Sequence, residues 1–360
     1  MTNYNPENER IKKAYFIYLK EADQKAEATI NAIRKAILRL EEYTDFSSFK
    51  SFNKDQAIGF KRHLSGTTAK VGNKPLAKAT VLSTINALKS YLGWLRFQVG
   101  FKSSIKPLDI EYLNLSEKET RAAKAPKHKI FPTLEQIRTV ISLMPHETAV
   151  EKRDRAVMAF TILSGMRDKA ITSLKLKHID LHRNYVNQDP NDVQTKFSKR
   201  IDTFFFPVGE DIKSIFSDWV SYLKEEELYN LDAPLFPQTK LGHDENKSFT
   251  PIGLEPIHWA TASPIRIIFK NAFERAGIPY FNPHLFRDTL IHLGQQMCTT
   301  PEEFKAWSQN IGHESPLTTF TSYGQIDPYR QGDIIKGLSE KKQNTNINEE
   351  ILAILKAKTP

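Results

Sequence analysis

Between Ser116 and Lys129 the chain reads SEKETRAAKAPKHK, a run without one large apolar side chain. A stretch with nothing to place in a core reads as a polar, mobile connection. At 360 residues the chain also exceeds the size that one hydrophobic core usually serves. The sequence therefore predicts two domains, 1–115 and 130–340, joined by a linker over 116–129 and followed by a tail over 341–360.

The first domain reads as helical. Ile30, Ile33, Ile37 and Leu40 recur at helical spacing, and so do Val81, Ile85, Leu88, Leu92 and Leu95 behind a Thr80 cap. Trp94 and Phe97 extend the second stripe and are expected in the core. A shorter helix around Gln56 to Leu64 precedes a loop with Gly66, Gly72 and Pro75.

Charge is unevenly distributed along the chain. Residues 51–128 hold 14 Lys and Arg against 5 Asp and Glu, and the remainder is balanced, so this region carries the net charge of +9. Lys54, Lys61, Arg62, Lys70, Lys74, Lys78, Lys89 and Arg96 are opposed over 51–100 by Asp55 alone. A polyphosphate rewards such polarity through counterion release, which makes these eight side chains candidates for gripping DNA. The competing explanation is a basic solvated face.

Other classes find little support. The single cysteine, Cys298, cannot form an internal disulfide, which fits a reducing cytosol, and it is expected to be a buried, inert thiol. No apolar run approaches the length of a membrane span, and the start MTNYNPENER has no signal-peptide character. His178, His182, His284, His292 and His313 are scattered, without H-E-x-x-H or C-x-x-C, so no metal site is expected. Phosphate-binding glycine loops of the nucleotide-hydrolysing type are absent as well, and no cofactor is called for.

The second domain opens on Thr133-Leu134-Glu135-Gln136, a capping box. A helix over about Arg153 to Leu163 ends at Gly165, and another runs from about Asp168 to Leu176. Tyr185 to Gln188, Asp192 to Phe197 and Asp202 to Val208 read as three short strands around the Asp189-Pro190-Asn191 and Ser198-Lys199 turns. The fold class expected is mainly α with a small antiparallel β-sheet. Behind a polar hinge at Lys341 to Asn346, a last amphipathic helix carries Ile351, Leu352, Ile354 and Leu355.

Breaking a phosphodiester without a metal requires a nucleophile, cationic donors for the non-bridging oxygens and an acid for the departing oxygen. Asn282 and Pro283 supply a helix cap and first position, so His284 and Arg287 fall on one face a turn apart, where a guanidinium fork can hold two phosphate oxygens. Arg167 follows Gly165-Met166 at the end of an apolar helix. An arginine between buried flanks needs a partner, and a salt bridge with Asp180 or Glu151 is the competing explanation. Lys196 and Lys199 lie on or beside the strand pair, where an ammonium could reach a leaving oxygen or simply keep an edge soluble. Tyr323, one of 12 tyrosines, is distinguished only by following Ile311-Gly312-His313 by ten positions.

Taken in order, Arg167, Lys196, His284 with Arg287, Gly312-His313 and Tyr323 resemble the signature of the tyrosine recombinase, or phage integrase, family. The run Ser164-Gly165-Met166-Arg167 through Ile179-Asp180 resembles its first arginine box, Thr195-Lys196-Phe197-Ser198-Lys199-Arg200 its hairpin lysine box with Lys196 at the catalytic position, and Pro283-His284-Leu285-Phe286-Arg287 its second arginine box. Residues 130–335 carry the motifs, and the basic helical part resembles the family's core-binding domain in layout only. Ala170 stands where the family often has an acid, so Arg167 must be oriented by something else. Asp288 replaces a frequent histidine, and the gap from His313 to Tyr323 is ten rather than nine.

The resemblance implies a C-shaped clamp of core-binding and catalytic domains around duplex DNA. It implies that Tyr323 attacks the scissile phosphate to give a 3′-phosphotyrosyl bond. Arg167, Arg287 and His313 would hold the non-bridging oxygens, His284 would assist proton removal from the phenol, and Lys196 would protonate the 5′ oxygen. It further implies a site-specific recombinase that needs neither metal nor ATP, binds one site as a dimer and two as a homo-tetramer, and docks its C-terminal helix on a neighbouring protomer. A cytoplasmic, DNA-associated protein of mobile-element type is expected. A type IB topoisomerase with the same chemistry, or an accessory DNA-binding protein, is the alternative.

Overall fold

The computed structural model describes residues 4–68, 75–125, 129–195, 199–243 and 248–313. Lys70, Lys74, Lys196, Tyr323 and the helix expected near Ile351 lie outside the described residues. The chain divides into two compact units, Met1–Ala125 and Pro126–Pro360.

Among the described residues, six α-helices build the first unit: α1 (Pro6–Ile17), α2 (Glu27–Tyr43), α3 (Lys54–Gly66), α4 (Lys78–Leu95), α5 (Pro107–Glu111) and α6 (Glu117–Lys124). The predicted stripes close its core, with Ile30, Ile37 and Leu40 from α2 meeting Leu88, Leu92 and Leu95 from α4 around Phe60 and Tyr91. Asn53 caps α3 by accepting from the amides of Asp55 and Gln56. Helix α4 begins at Lys78 behind Ala77, without a side-chain cap, rather than at Thr80.

Two expectations for this unit are corrected. Phe97 is 80% exposed, because α4 ends at Leu95 and the apolar stripe ends with it. Trp94 does pack inward, 4.9 Å from the Tyr15 ring. The stretch read as an unpacked connection carries α6, whose capping box pairs Ser116 with Glu119. An ion pair between Glu117 and Arg121 at 2.7 Å supports it. No α6 residue is buried, so local capping forms this helix where apolar content gives no signal.

In the second unit, α7 (Leu134–Ser142) starts at the predicted Thr133 and Gln136 box, and α8 (Ala149–Ser164) starts at a second box of Thr148 with Glu151. Helix α8 is buried along most of its length and joins α10 (Glu210–Glu225), α11 (Ser263–Arg275) and α12 (Pro283–Met297) in one core. Phe160, Phe216, Trp219, Phe236, Phe269 and Phe286 fill it. The short α9 (Asp168–Ile171) stops well before Leu176. Leu174 and Leu176 pair instead by backbone hydrogen bonds with Leu235 and Ala233.

Among the described residues the antiparallel sheet is three-stranded but differs in membership from the expectation. Its order is β1 (Ile179–Asp180), β2 (Tyr185–Gln188) and β3 (Ile201–Phe204), with Val186 opposite Thr203. Asp192 to Thr195 form no strand: Asp192 and Val193 turn back onto the Asp189 carbonyl. Ion pairs of 3.0 and 2.9 Å draw the Asp192 carboxylate to Lys175 and Lys177. Strand β3 ends at Phe204 because the Phe206 amide leaves the ladder to donate to Leu163 at the end of α8. A second hairpin of β4 (Gln238–His243) and β5 (Phe249–Glu255) was not foreseen; Arg153 anchors its base through Pro237 and Thr239. Helix α13 (Pro301–Asn310) closes the described chain behind a capping box of Thr300 with Glu303.

Candidate active site

Gly165 ends α8 in the left-handed region at φ 59°, a conformation that glycine adopts without a Cβ penalty. A Cβ there would stand 2.8 Å from Leu290 Cδ1. The turn releases Arg167 as the N-cap of α9. Its side chain is half-buried and has no hydrogen-bond or ion-pair partner among the described residues, and burial lowers its pKa. Neither competing salt bridge forms: Glu151 accepts from the Thr148 and Glu147 amides, and Asp180 from the Arg183 amide. Asp168, the neighbour of Arg167 in sequence, pairs with Arg266 at 2.8 Å.

Helix α12 presents its residues as the cap predicts, with Asn282 accepting from the His284 amide at 3.0 Å. Arg287 is 3% exposed. One guanidinium nitrogen donates to the Gly165 carbonyl and the other to the Ile311 carbonyl at 2.8 Å and to His313 Nε2 at 3.3 Å. Its pKa falls to about 9, first from burial and then from the positive Arg167, with Asp288 opposing the shift. A guanidinium can only donate, so His313 Nε2 accepts and the ring proton sits on Nδ1. Burial, and then the charges of Arg287 and Arg167, hold the half-buried His313 down to about 4. His284 stands at the surface of the site, and its pKa is lowered by loss of water and by Arg287.

Three segments far apart in sequence thus bring Arg167, His284, Arg287 and His313 together. Arg167 and Arg287 line one small cavity with Ser164, Gln188, Thr195 and Thr203. The imidazoles are neutral near pH 7, and two guanidinium groups lie close enough to repel each other. Such a site suits a phosphate. No cluster of His, Cys, Asp or Glu able to hold a metal occurs among the described residues. No helix there is long and apolar enough to cross a membrane. Cys298 is half-buried rather than buried, and loss of water raises its pKa.

The basic residues of the first unit divide into groups. Lys54, Arg62 and Lys78 are exposed. Lys61 instead donates to the Tyr112 and Asn114 carbonyls at 2.9 and 2.8 Å, and Lys89 bonds Asn114 and Glu111, so both brace the chain after α5. Arg96 lies 5.7 Å over the Phe97 ring. Lys129, not singled out from sequence, reaches the buried Asp288 at 3.4 Å. An aspartate at a position expected to be histidine was the available signal, because a buried carboxylate calls for a cation.

No family model and no curated relative matches the sequence. Solved structures do match. XerH site-specific recombinase, bound to a palindromic difH substrate after cleavage, is 19% identical with a TM-score of 0.59 over 91% of this chain and 82% of that one. A lambda integrase dimer bound to a COC' core site is 12% identical with a TM-score of 0.56, covering 89% and 98%. The Tn1549 transposon integrase in complex with transposon right end DNA is 13% identical with a TM-score of 0.55, covering 91% and 98%. The chain has the fold of the tyrosine recombinases and integrases, mainly helical with small antiparallel sheets.

Proposed function

We propose that the protein is a site-specific DNA recombinase that cuts and rejoins strands through Tyr323. The observation that carries this reading is the pair Arg167 and Arg287, mutually repelling, with no carboxylate on Arg167 among the described residues. Its solved structural relatives are recombinases and integrases bound to DNA.

In this reading the Tyr323 oxygen attacks phosphorus, the bond to the 5′ oxygen breaks, and a 3′-phosphotyrosyl link forms. Arg167, Arg287 and the Nδ1–H of His313 hold the non-bridging oxygens as charge builds on them. His284, neutral near pH 7, takes the phenol proton, and Lys196 returns one to the departing oxygen. The phosphotyrosine keeps the energy of the broken bond, so a free 5′ hydroxyl reverses the step without ATP. Lys54, Arg62 and Lys78 grip phosphates of the duplex. A dimer on one site and a tetramer on two, with the C-terminal helix reaching a neighbour, complete the proposal.

Tyr323→Phe tests it: covalent attachment to duplex DNA should vanish while DNA binding stays near wild type. Undiminished attachment refutes the nucleophile. Lys196→Ala should cleave slowly and recover on DNA with a 5′ sulfur leaving group, which needs no acid; failure to recover removes Lys196 from that role. Relaxation of plasmid lacking any cognate site, by a monomer, would point to a topoisomerase instead.

A further inference from the structure

Among the described residues, strand β3 is the outer strand of its sheet, and the Asn310 side chain pairs with that edge. The Phe204 amide donates to Asn310 Oδ1 at 2.6 Å, and Asn310 Nδ2 donates to the Phe204 carbonyl at 2.8 Å. An asparagine amide thus makes both bonds that a neighbouring strand would make. Thr203 Oγ1, which accepts from Gln188 at 2.8 Å, donates to the Asn310 carbonyl at 3.3 Å.

The next three residues are held by this attachment. Helix α13 ends in a turn, with the Gly312 amide on the Gln309 carbonyl and the His313 amide on the Ser308 carbonyl. Gly312 takes φ +79°, and a Cβ there would lie 3.1 Å from Ile201 Cδ1 on β3. The Ile311 carbonyl accepts from Arg287, whose same nitrogen contacts His313. The segment from Asn310 to His313 is therefore seated on β3 at one end, and at the other its Ile311 carbonyl and His313 ring both meet Arg287.

We propose that Asn310 is a positioning residue for the phosphate clamp: its amide stands in for a fourth strand on the edge of β3 and fixes the turn that holds Arg287 and His313. The role of Arg287 and His313 in a clamp rests on the recombinase reading; the coupling of Asn310 to them does not. Asparagine suits the place because one planar group offers a donor and an acceptor with the spacing of a peptide. Alanine removes both bonds, and glutamine keeps the groups one methylene too far out.

Full-length Asn310→Ala and Asn310→Gln are compared with wild type in two measurements. NMR titration of the His313 ring, assigned with His313→Gln, should give a value near 4 in the wild type and move toward the ordinary ~6.5 in both variants as the ring leaves its sheltered place beside Arg287. Covalent attachment to DNA should slow by on the order of 10²-fold in Asn310→Ala and less in Asn310→Gln, as for a group displaced by ~1 Å. A merely structural residue would lower the unfolding temperature without moving the titration of the folded protein. Unchanged His313 titration in both variants overturns the proposal, and so does attachment at the wild-type rate. A wild-type chain that never attaches to DNA sinks the recombinase reading and leaves the titration to decide Asn310.

Discussion

Arg287→Met asks whether the protein itself neutralises the charge at the centre of the site. Arg287 is 3% exposed, and burial and Arg167 bring its pKa well below the ordinary guanidinium range, to about 9. At ~1.4 kcal/mol per tenfold change, that fall works ~5 kcal/mol against the folded state. Below the lowered value both folded and unfolded chains are protonated, so the full penalty is present at neutral pH. It fades only as pH rises above about 9, where the unfolded chain binds more protons. Methionine has a comparable reach and no charge. Its cost is two buried carbonyls, Gly165 and Ile311, left without this donor, at ~1 to 3 kcal/mol each.

The two effects nearly cancel, so stability should stay within ~2 kcal/mol of wild type, or ~8 °C in a unit of this size. Losing one member of a compensated buried ion pair would instead cost ~3 to 5 kcal/mol. Thermal unfolding with and without sulfate is the assay. Sulfate at tenfold its Kd should stabilise wild type by ~1.4 kcal/mol and leave Arg287→Met unmoved, while the variant loses covalent attachment. A fall of more than ~4 kcal/mol without sulfate would show that the guanidinium is already balanced by its surroundings, and the reasoning would fail.

Gly165→Ala should destabilise by ~1 to 2 kcal/mol from the left-handed backbone alone, and by more because Leu290 must move from a 2.8 Å contact. It should also cut attachment, since the Gly165 carbonyl that positions Arg287 shifts; a wild-type rate would uncouple that cap from the site. His313, held down to about 4, predicts stability that is fully present above pH ~6.5 and declines as pH falls toward 4, because the unfolded chain then binds the extra proton. His313→Gln should remove that part of the slope in unfolding measured across the window; an unchanged slope counts against the depressed imidazole.

Elements whose signal is local were legible. The Thr133 and Asn282 caps, the α2 and α4 stripes and the break at Gly165 all stand where the residues place them. The miss at α6 has the same origin inverted, since a polar helix held by a capping box carries no apolar period to read. Asp192 to Phe197 read as a strand from composition, yet the pull of Lys175 and Lys177 on Asp192 makes its start a turn. That pairing is set by where Leu174 to His178 runs, which neighbouring residues do not specify. Phe97 continues a period that its helix does not.

The order of residue types along the chain, set beside the family signature it resembles, was enough to nominate Arg167, His284, Arg287 and His313, and caps and glycine breaks fix backbone direction within a turn or two. Whether Arg167 meets a carboxylate, which carbonyls hold Arg287, and how Asn310 grips β3 were decided only by folding. Those contacts join residues 24 to 122 positions apart, and their energies depend on burial, which exists once the core around α8 and α12 has closed.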